Sequence, residues 1–299
     1  MLTLERYLAS EPETCPGCRQ PVRQVVYVWR DGASSAQIFR CDQCCLMFLR
    51  PLLLDRLDDR QMNHIDTAEM YNLSLVKAAY INLFLKREAA RVRELLGRRA
   101  LRLLDIGCGT GWMTHLYARH GFRVVGLEPS PVRAEVAADR YGIEVVRDYL
   151  ENTEFHGEFD VVVMRHVLEH FAEPAAALHK AREALAEGGL LLATVPNIDS
   201  LGRSVFGANW SWGLPHHCQF FNPQALTALL DRCGFELLHL TRTPSPFYTP
   251  SSVMRKYPGS RLARLVGSRR LLATLALAPL PLCGWLIGRG DNLNVIARR

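Results

Sequence analysis

The chain has 299 residues, 48% of them hydrophobic and 22% charged, a balance ordinary for a globular protein with one large core and smaller additions. Nine cysteines in so long a chain, four of them in two C-x-x-C pairs, exclude a small disulfide scaffold and point to metal in a reducing compartment. The formal charge of +6 excludes a uniformly basic surface, because residues 237–290 hold eight Lys or Arg and no Asp or Glu.

Met1 to Thr14 carries three glutamates and no apolar core segment, so a secretory signal is not expected and the cytoplasm is the default address. Cys15-Pro16-Gly17-Cys18 and Cys41-Asp42-Gln43-Cys44 are knuckles separated by 22 residues. Between them Val25–Trp29 and Gln37–Arg40 read as strands joined at Asp31-Gly32. Four thiolates satisfy tetrahedral Zn(II) with no open position, so residues 1–54 are expected to form a structural zinc ribbon on Cys15, Cys18, Cys41 and Cys44, with Cys45 beside the site. Arg19, Arg23, Arg30, Arg40 and Arg50 are scattered without aromatic interleaving, a weak footprint for nucleic acid.

From residue 55 to 100 glycine and proline are rare, and Leu75, Ala79, Leu83 and Leu85 recur near helical spacing, which predicts a cap of two or three helices. Leu101 to Ile106 then reads as a buried strand, followed by the glycine turn Gly107-Cys108-Gly109-Thr110-Gly111 and a helix to His120. A strand, a glycine turn and a helix N-terminus make a nucleotide-type site. The next strand, 122–127, ends in Glu128, placed to accept from both hydroxyls of a ribose.

The run LLDIGCGTG at 103–111 and the acid at 128 resemble class I S-adenosylmethionine (SAM)-dependent methyltransferases. The resemblance covers roughly residues 70–240 and the last strand. It implies an α/β fold, a Rossmann-like seven-stranded sheet with helices on both faces, beside the small N-terminal ribbon. Residues 101–299 would then be the SAM domain, with Asp105, Gly107, Gly109, Gly111, Glu128, Asp148 and Arg165 toward the cofactor. By the same resemblance Asp148 accepts from the adenine amino group with Tyr149 nearby, and Tyr71 or Tyr80 of the cap reaches the SAM site.

Strand 159–164 ends in Arg165-His166-Val167-Leu168-Glu169-His170, beyond the carboxyl end of a parallel strand, where ligands bind in such sheets. His166 is the first candidate for general base, with His216 and His217 of the aromatic connection 198–221 as the others. That connection, with Phe206, Trp210, Trp212, Phe220 and Phe221, reads as an acceptor-binding lid. Glu169-His170 also resembles the metal-binding pair of quinone-precursor O-methyltransferases, although His166 stands where those enzymes have their first acid.

Between strands at 235–240 and 293–297 lies an insertion, about 241–290, with a basic run from Arg255 to Arg270 and then an apolar stretch from Leu271 to Gly288. Strands that pair in one sheet cannot lie on opposite sides of a bilayer, so the stretch is expected to lie on an anionic membrane surface, to pack on the domain, or to make an oligomer contact. The expected activity is methyl transfer to a small or lipid-linked acceptor, foremost a sugar, glycan or secondary-metabolite hydroxyl. Ribosomal RNA methylation and a non-catalytic SAM-binding scaffold at the membrane are the alternatives.

Overall fold

Near-continuous apolar runs are what strands buried on both faces require, and Leu101–Ile106 (β5), Phe159–Arg165 (β8) and Leu185–Pro196 (β9) form the middle of the main sheet. The computed structural model describes residues 2–31, 34–52, 75–98, 101–213 and 217–299. The sheet has seven strands, completed by Phe122–Leu127 (β6), Glu144–Val146 (β7), Glu236–Thr243 (β11) and Asn292–Arg298 (β12), in the order β11-β12-β9-β8-β5-β6-β7. Strands β5 to β9 run parallel, whereas β12 is antiparallel to both β9 and β11. All five parallel strands therefore end at the same edge, and the loops carrying the candidate residues gather there.

Helices cover both faces. Leu75–Leu96 (α1) and Trp112–Arg119 (α2) pack on one side through Leu85, Ala89, Val92, Leu116 and Tyr117. Pro174–Ala184 (α4) and Pro223–Arg232 (α6) pack on the other through Leu178, Ala181, Leu226 and Leu230. Pro131–Tyr141 (α3) starts on a Ser130 cap and buries Ala134 and Ala137. The cap before β5 contributes the one described helix, α1, and its buried stripe differs from the expected one. Leu85, Ala89 and Val92 face inward at helical spacing, while Leu83 is exposed. Residues 53–74, Tyr71 among them, lie outside the described residues.

The N-terminal residues form strands Leu2–Thr14 (β1), Pro21–Asp31 (β2), Ser34–Arg40 (β3) and Met47–Arg50 (β4). Their sheet does not close on itself. Its fifth strand is Gln219–Phe220 (β10), from the end of the long aromatic connection, antiparallel to β4. Val22, Val25, Phe39 and Phe48 consequently share one apolar core with Val162, Leu178 and Leu226 of the main domain. Two arginines of this region reach the main domain: exposed Arg19 pairs with Glu173 at 2.9 Å and Arg50 approaches the same carboxylate at 4.0 Å.

The connection 198–221 is not a plain loop, since Leu201–Phe206 (α5) and a single 3-10 turn at 207–209 lie within it. The insertion is helical, with Thr249–Lys256 (α7), Arg261–Ser268 (α8), Arg270–Leu277 (α9) and Pro279–Leu286 (α10). Its inner side packs on the connection, Val253 and Val266 meeting Phe206 and Trp210.

Candidate functional site

At the carboxyl end of β5, Gly107, Gly109 and Gly111 all have positive φ, +71°, +56° and +77°. The turn folds back on β6: the Gly107 N–H donates to the Leu127 carbonyl at 2.7 Å. A Cβ at Gly107 would lie 2.6 Å from Val167 Cγ2, whereas one at Gly109 would meet nothing within 4 Å. Gly109 is thus the point where main chain is open to close approach. Glu128, buried, accepts from the Gly109 N–H through Oε2 at 2.9 Å and from the Ser130 N–H through Oε1 at 3.0 Å. One carboxylate therefore joins the glycine turn to the start of α3. Asp105 accepts from the Thr114 hydroxyl at 2.6 Å, and burial, partly offset by that bond and by Arg165, pushes its carboxyl up to about 6. Asp148, after β7, accepts at 2.7 Å from both the Tyr149 N–H and the Asn152 side-chain amide just before and within the turn at 150–152, while Tyr149 is exposed.

Arg165, the last residue of β8, is mostly buried and fully engaged. It pairs with Glu88 of α1, donates to the Tyr117 hydroxyl at 2.7 Å and to the Thr194 hydroxyl at 2.9 Å. Burial drives the Tyr117 hydroxyl well above its usual value, so it stays protonated and donates in turn to Glu88. Thr194 passes the chain on to Asn294 at 3.0 Å, and Asn294 to the Thr243 hydroxyl at 2.9 Å. This network ties α1 to four strands. Glu88, Tyr117 and Thr194 carry no motif that would have disclosed them, because each comes from a different element.

His166 adopts φ +53°, the left-handed region that a non-glycine residue enters at a cost and that recurs at functional sites. Its ring stacks on Trp212 of the connection, with centroids 4.4 Å apart and planes 14° apart, and Trp212 in turn contacts Tyr248 at 4.2 Å. The Lys77 ammonium lies 5.1 Å from the Tyr248 ring centroid. On its other side His166 Nδ1 stands 3.3 Å from Oε1 of Glu169, and His217 Nε2 stands 3.9 Å from the same oxygen. Glu169 is 0% exposed. Burial alone would raise its carboxyl, but contact with His166 and the nearby His217 and His170 more than offset this and hold it below the ordinary range. Glu169, His170 and His217 also bring three ligand atoms within 4.8 Å of one another. The lid histidine, not position 166, supplies the third donor of that set.

A sequence profile described as a methyltransferase domain matches residues 79–240. A ubiquinone biosynthesis O-methyltransferase from Azorhizobium caulinodans is 31% identical over 189 residues, covering 58% of this chain and 74% of that protein. The chain is a SAM-dependent methyltransferase. A second ubiquinone biosynthesis O-methyltransferase, from Cereibacter sphaeroides, is 36% identical over 151 residues, 46% of this chain and 60% of its own length. The solved structure of a SAM-dependent methyltransferase from Thermotoga maritima, a possible histamine N-methyltransferase, shares the fold with a TM-score of 0.52 at 22% identity, covering 81% of this chain and 98% of that one.

In this methyltransferase the glycine turn, Glu128, Asp148, Arg165 and His166 all lie at the carboxyl edge of the sheet, and His217 of the connection reaches Glu169 there. His216 lies outside the described residues. Away from that edge, the four cysteines converge as expected. Cys15 Sγ is 3.5 Å from Cys44 Sγ, and Cys18 Sγ is 3.4 Å from Cys41 Sγ, all four residues being buried. The two knuckles match: the Arg19 N–H donates to Cys15 O and the Cys45 N–H to Cys41 O, each at 2.8 Å, with Arg19 and Cys45 both at positive φ. Burial and mutual contact oppose ionisation of four thiols unless a cation compensates their charge, and the set fits tetrahedral Zn(II). Cys45 is outside the cluster. Trp212 and Tyr248 extend the ring contacts of His166; only the aromatic richness of the connection 198–221 hinted at the first, and nothing at the second.

Proposed function

We propose that this methyltransferase transfers the methyl group of SAM to a hydroxyl of a small, flat-faced acceptor, with His166 as general base oriented by Glu169. The observation that carries the reading is the Trp212–His166–Glu169 arrangement beside the glycine turn. The main chain at Gly109 and the carboxylates of Glu128 and Asp148 would hold the cofactor, whose sulfonium supplies an already activated methyl group. The work left to the protein is alignment, exclusion of water and removal of one proton. Glu169 favours the tautomer with hydrogen on Nδ1, which leaves Nε2 of His166 to take the acceptor's hydroxyl proton as the new C–O bond forms. Trp212 and Tyr248 offer aromatic faces to a planar or ring-shaped acceptor. The O-methyltransferase relatives support a hydroxyl acceptor and give no particular support to a sugar or glycan. The four cysteines would hold a structural Zn(II) that stiffens the sheet completed by β10.

A second reading rests on Glu169, whose two oxygens are buried with no hydrogen-bond donor aligned on them. Together with His170 and His217 it would hold a divalent cation, which supplies Lewis-acid polarisation of the acceptor oxygen. Release of S-adenosylhomocysteine across phenolic and glycosidic acceptors tests the leading reading. Turnover should fall by roughly 10²–10⁴-fold in His166→Gln with SAM affinity retained. Unchanged turnover refutes the base. Calorimetric titration of Mn²⁺ into the wild type and His217→Gln decides the second.

A further inference from the structure

We propose that the outer face of α9 and α10 is a docking surface for an anionic lipid bilayer. From Leu271 to Gly288 no residue is charged, and the side that faces solvent is apolar throughout. Leu272, Leu275, Leu282, Trp285, Leu286 and Ile287 are 41–75% exposed. Single exposed leucines need no explanation, but a contiguous stripe along two helices does. Trp285 is of the type that settles at the level of lipid headgroups.

The charges around this stripe name what covers it. Arg261, Arg264, Arg269 and Arg270 are exposed on and just after α8, which meets the following helices at a bend of 106° and adds its own exposed Leu262 and Leu265. No acidic residue occurs between positions 237 and 290. A second copy of the chain would set these arginines against their own kind, whereas a surface of anionic headgroups complements them. An amphipathic segment with basic and apolar residues in this order lies in the interfacial plane.

Topology excludes crossing. β11 and β12 are paired from Glu236↔Arg298 to Thr243↔Asn292, so the insertion leaves and re-enters the sheet at adjacent positions. Among the described residues no single helix is long and apolar enough to span a membrane. The inner side of the same helices explains why a methyltransferase would carry such a face. Leu280 and Pro281 line a cavity with Trp212, Tyr248 and Asp291, and Trp212 stacks on His166. Resting on the function proposed above, this packs the inner side of α10 beside Trp212, the ring stacked on His166, and favours an acceptor tethered in the bilayer.

The full chain is to be sedimented with vesicles of phosphatidylcholine alone and of phosphatidylcholine mixed with phosphatidylglycerol. We expect binding to the anionic vesicles, at least roughly tenfold weaker binding to the neutral ones, and a loss of similar size in Leu272→Glu/Leu286→Glu and in Arg269→Glu/Arg270→Glu. Calorimetric SAM affinity should be unchanged in both variants, which shows that they are folded. The proposal is overturned if the wild type ignores anionic vesicles, if folded variants bind as well as wild type, or if the wild type dimerises without lipid and the leucine variant does not. None of these readouts uses turnover, so failure of the proposed chemistry would leave the vesicle result standing.

Discussion

Replacing Glu169 by Gln keeps the shape of a side chain that is 0% exposed while removing its charge. In the wild type its Oε1 lies 3.3 Å from Nδ1 of His166, and the carboxyl is held below its ordinary range. A hydrogen bond to a charged group contributes about 1.5–3 kcal/mol, which the 3.3 Å contact supplies once Nδ1–H aligns on Oε1 in the working complex. At 1.36 kcal/mol per factor of ten, the substitution should lower kcat/KM by roughly 10- to 150-fold. SAM affinity should be untouched, because Glu128, not Glu169, bonds the glycine turn. A depressed carboxyl gives stability that is fully present above its unfolded value and is lost as pH falls through the folded one. Glu169→Gln should therefore flatten the acid limb of the unfolding curve. Coupled detection of S-adenosylhomocysteine, calorimetry with SAM and unfolding from pH 3 to 7 supply the three measurements. Activity within about twofold of wild type, or a parallel loss of SAM affinity, would refute the orienting role.

Gly109→Val places a β-branched side chain at φ +56° on the open side of the turn, and SAM affinity should fall by more than roughly a hundredfold, read by calorimetry, while the strained backbone lowers the melting temperature by a few degrees. Arg165→Met strands the Glu88 carboxylate among buried neighbours and should cost about 3–5 kcal/mol in denaturant unfolding, while the Glu88→Gln/Arg165→Met pair should cost less than the sum of the single changes. Asp105 carries the opposite sign to Glu169: its carboxyl is raised from 3.8 to about 6, so the apo protein loses up to ~3 kcal/mol as pH climbs across that interval, and Asp105→Asn should remove the slope in a thermal-shift series. Cys41→Ser should abolish the Zn(II) binding proposed for the four cysteines, measured by native mass spectrometry, and raise the KM for acceptor more than that for SAM, since the N-terminal sheet holds β10 next to His217.

The glycine turn and its acid were legible because they are local. Residues 103–111 put a strand, a turn and a helix start within one short run, and the acid that the turn bonds lies at the end of the next strand. The cysteine knuckles were legible for the same reason, since four thiols at that spacing have few other uses. His166 and Glu169, three positions apart, could be named as candidates but not paired, because the left-handed backbone at His166 is a consequence of packing. The apolar periodicity of α1 misled at Leu83, where the helix turns that residue to solvent and buries Val92 instead.

By itself the sequence determined what binds along contiguous chain: the methyl donor, the thiol cluster, and a segment at once basic and apolar. Tertiary structure alone decided what long-range contacts build. It placed β10 in the ribbon sheet, brought Glu88 to Arg165, set Trp212 between His166 and Tyr248, and turned one side of α9 and α10 inward and the other out. The physical reason is that a glycine turn or a C-x-x-C knuckle is specified by backbone conformation over a few residues. A buried ion pair or an aromatic stack joins elements whose separation in sequence carries no pattern, and only the packing of the sheet brings them together.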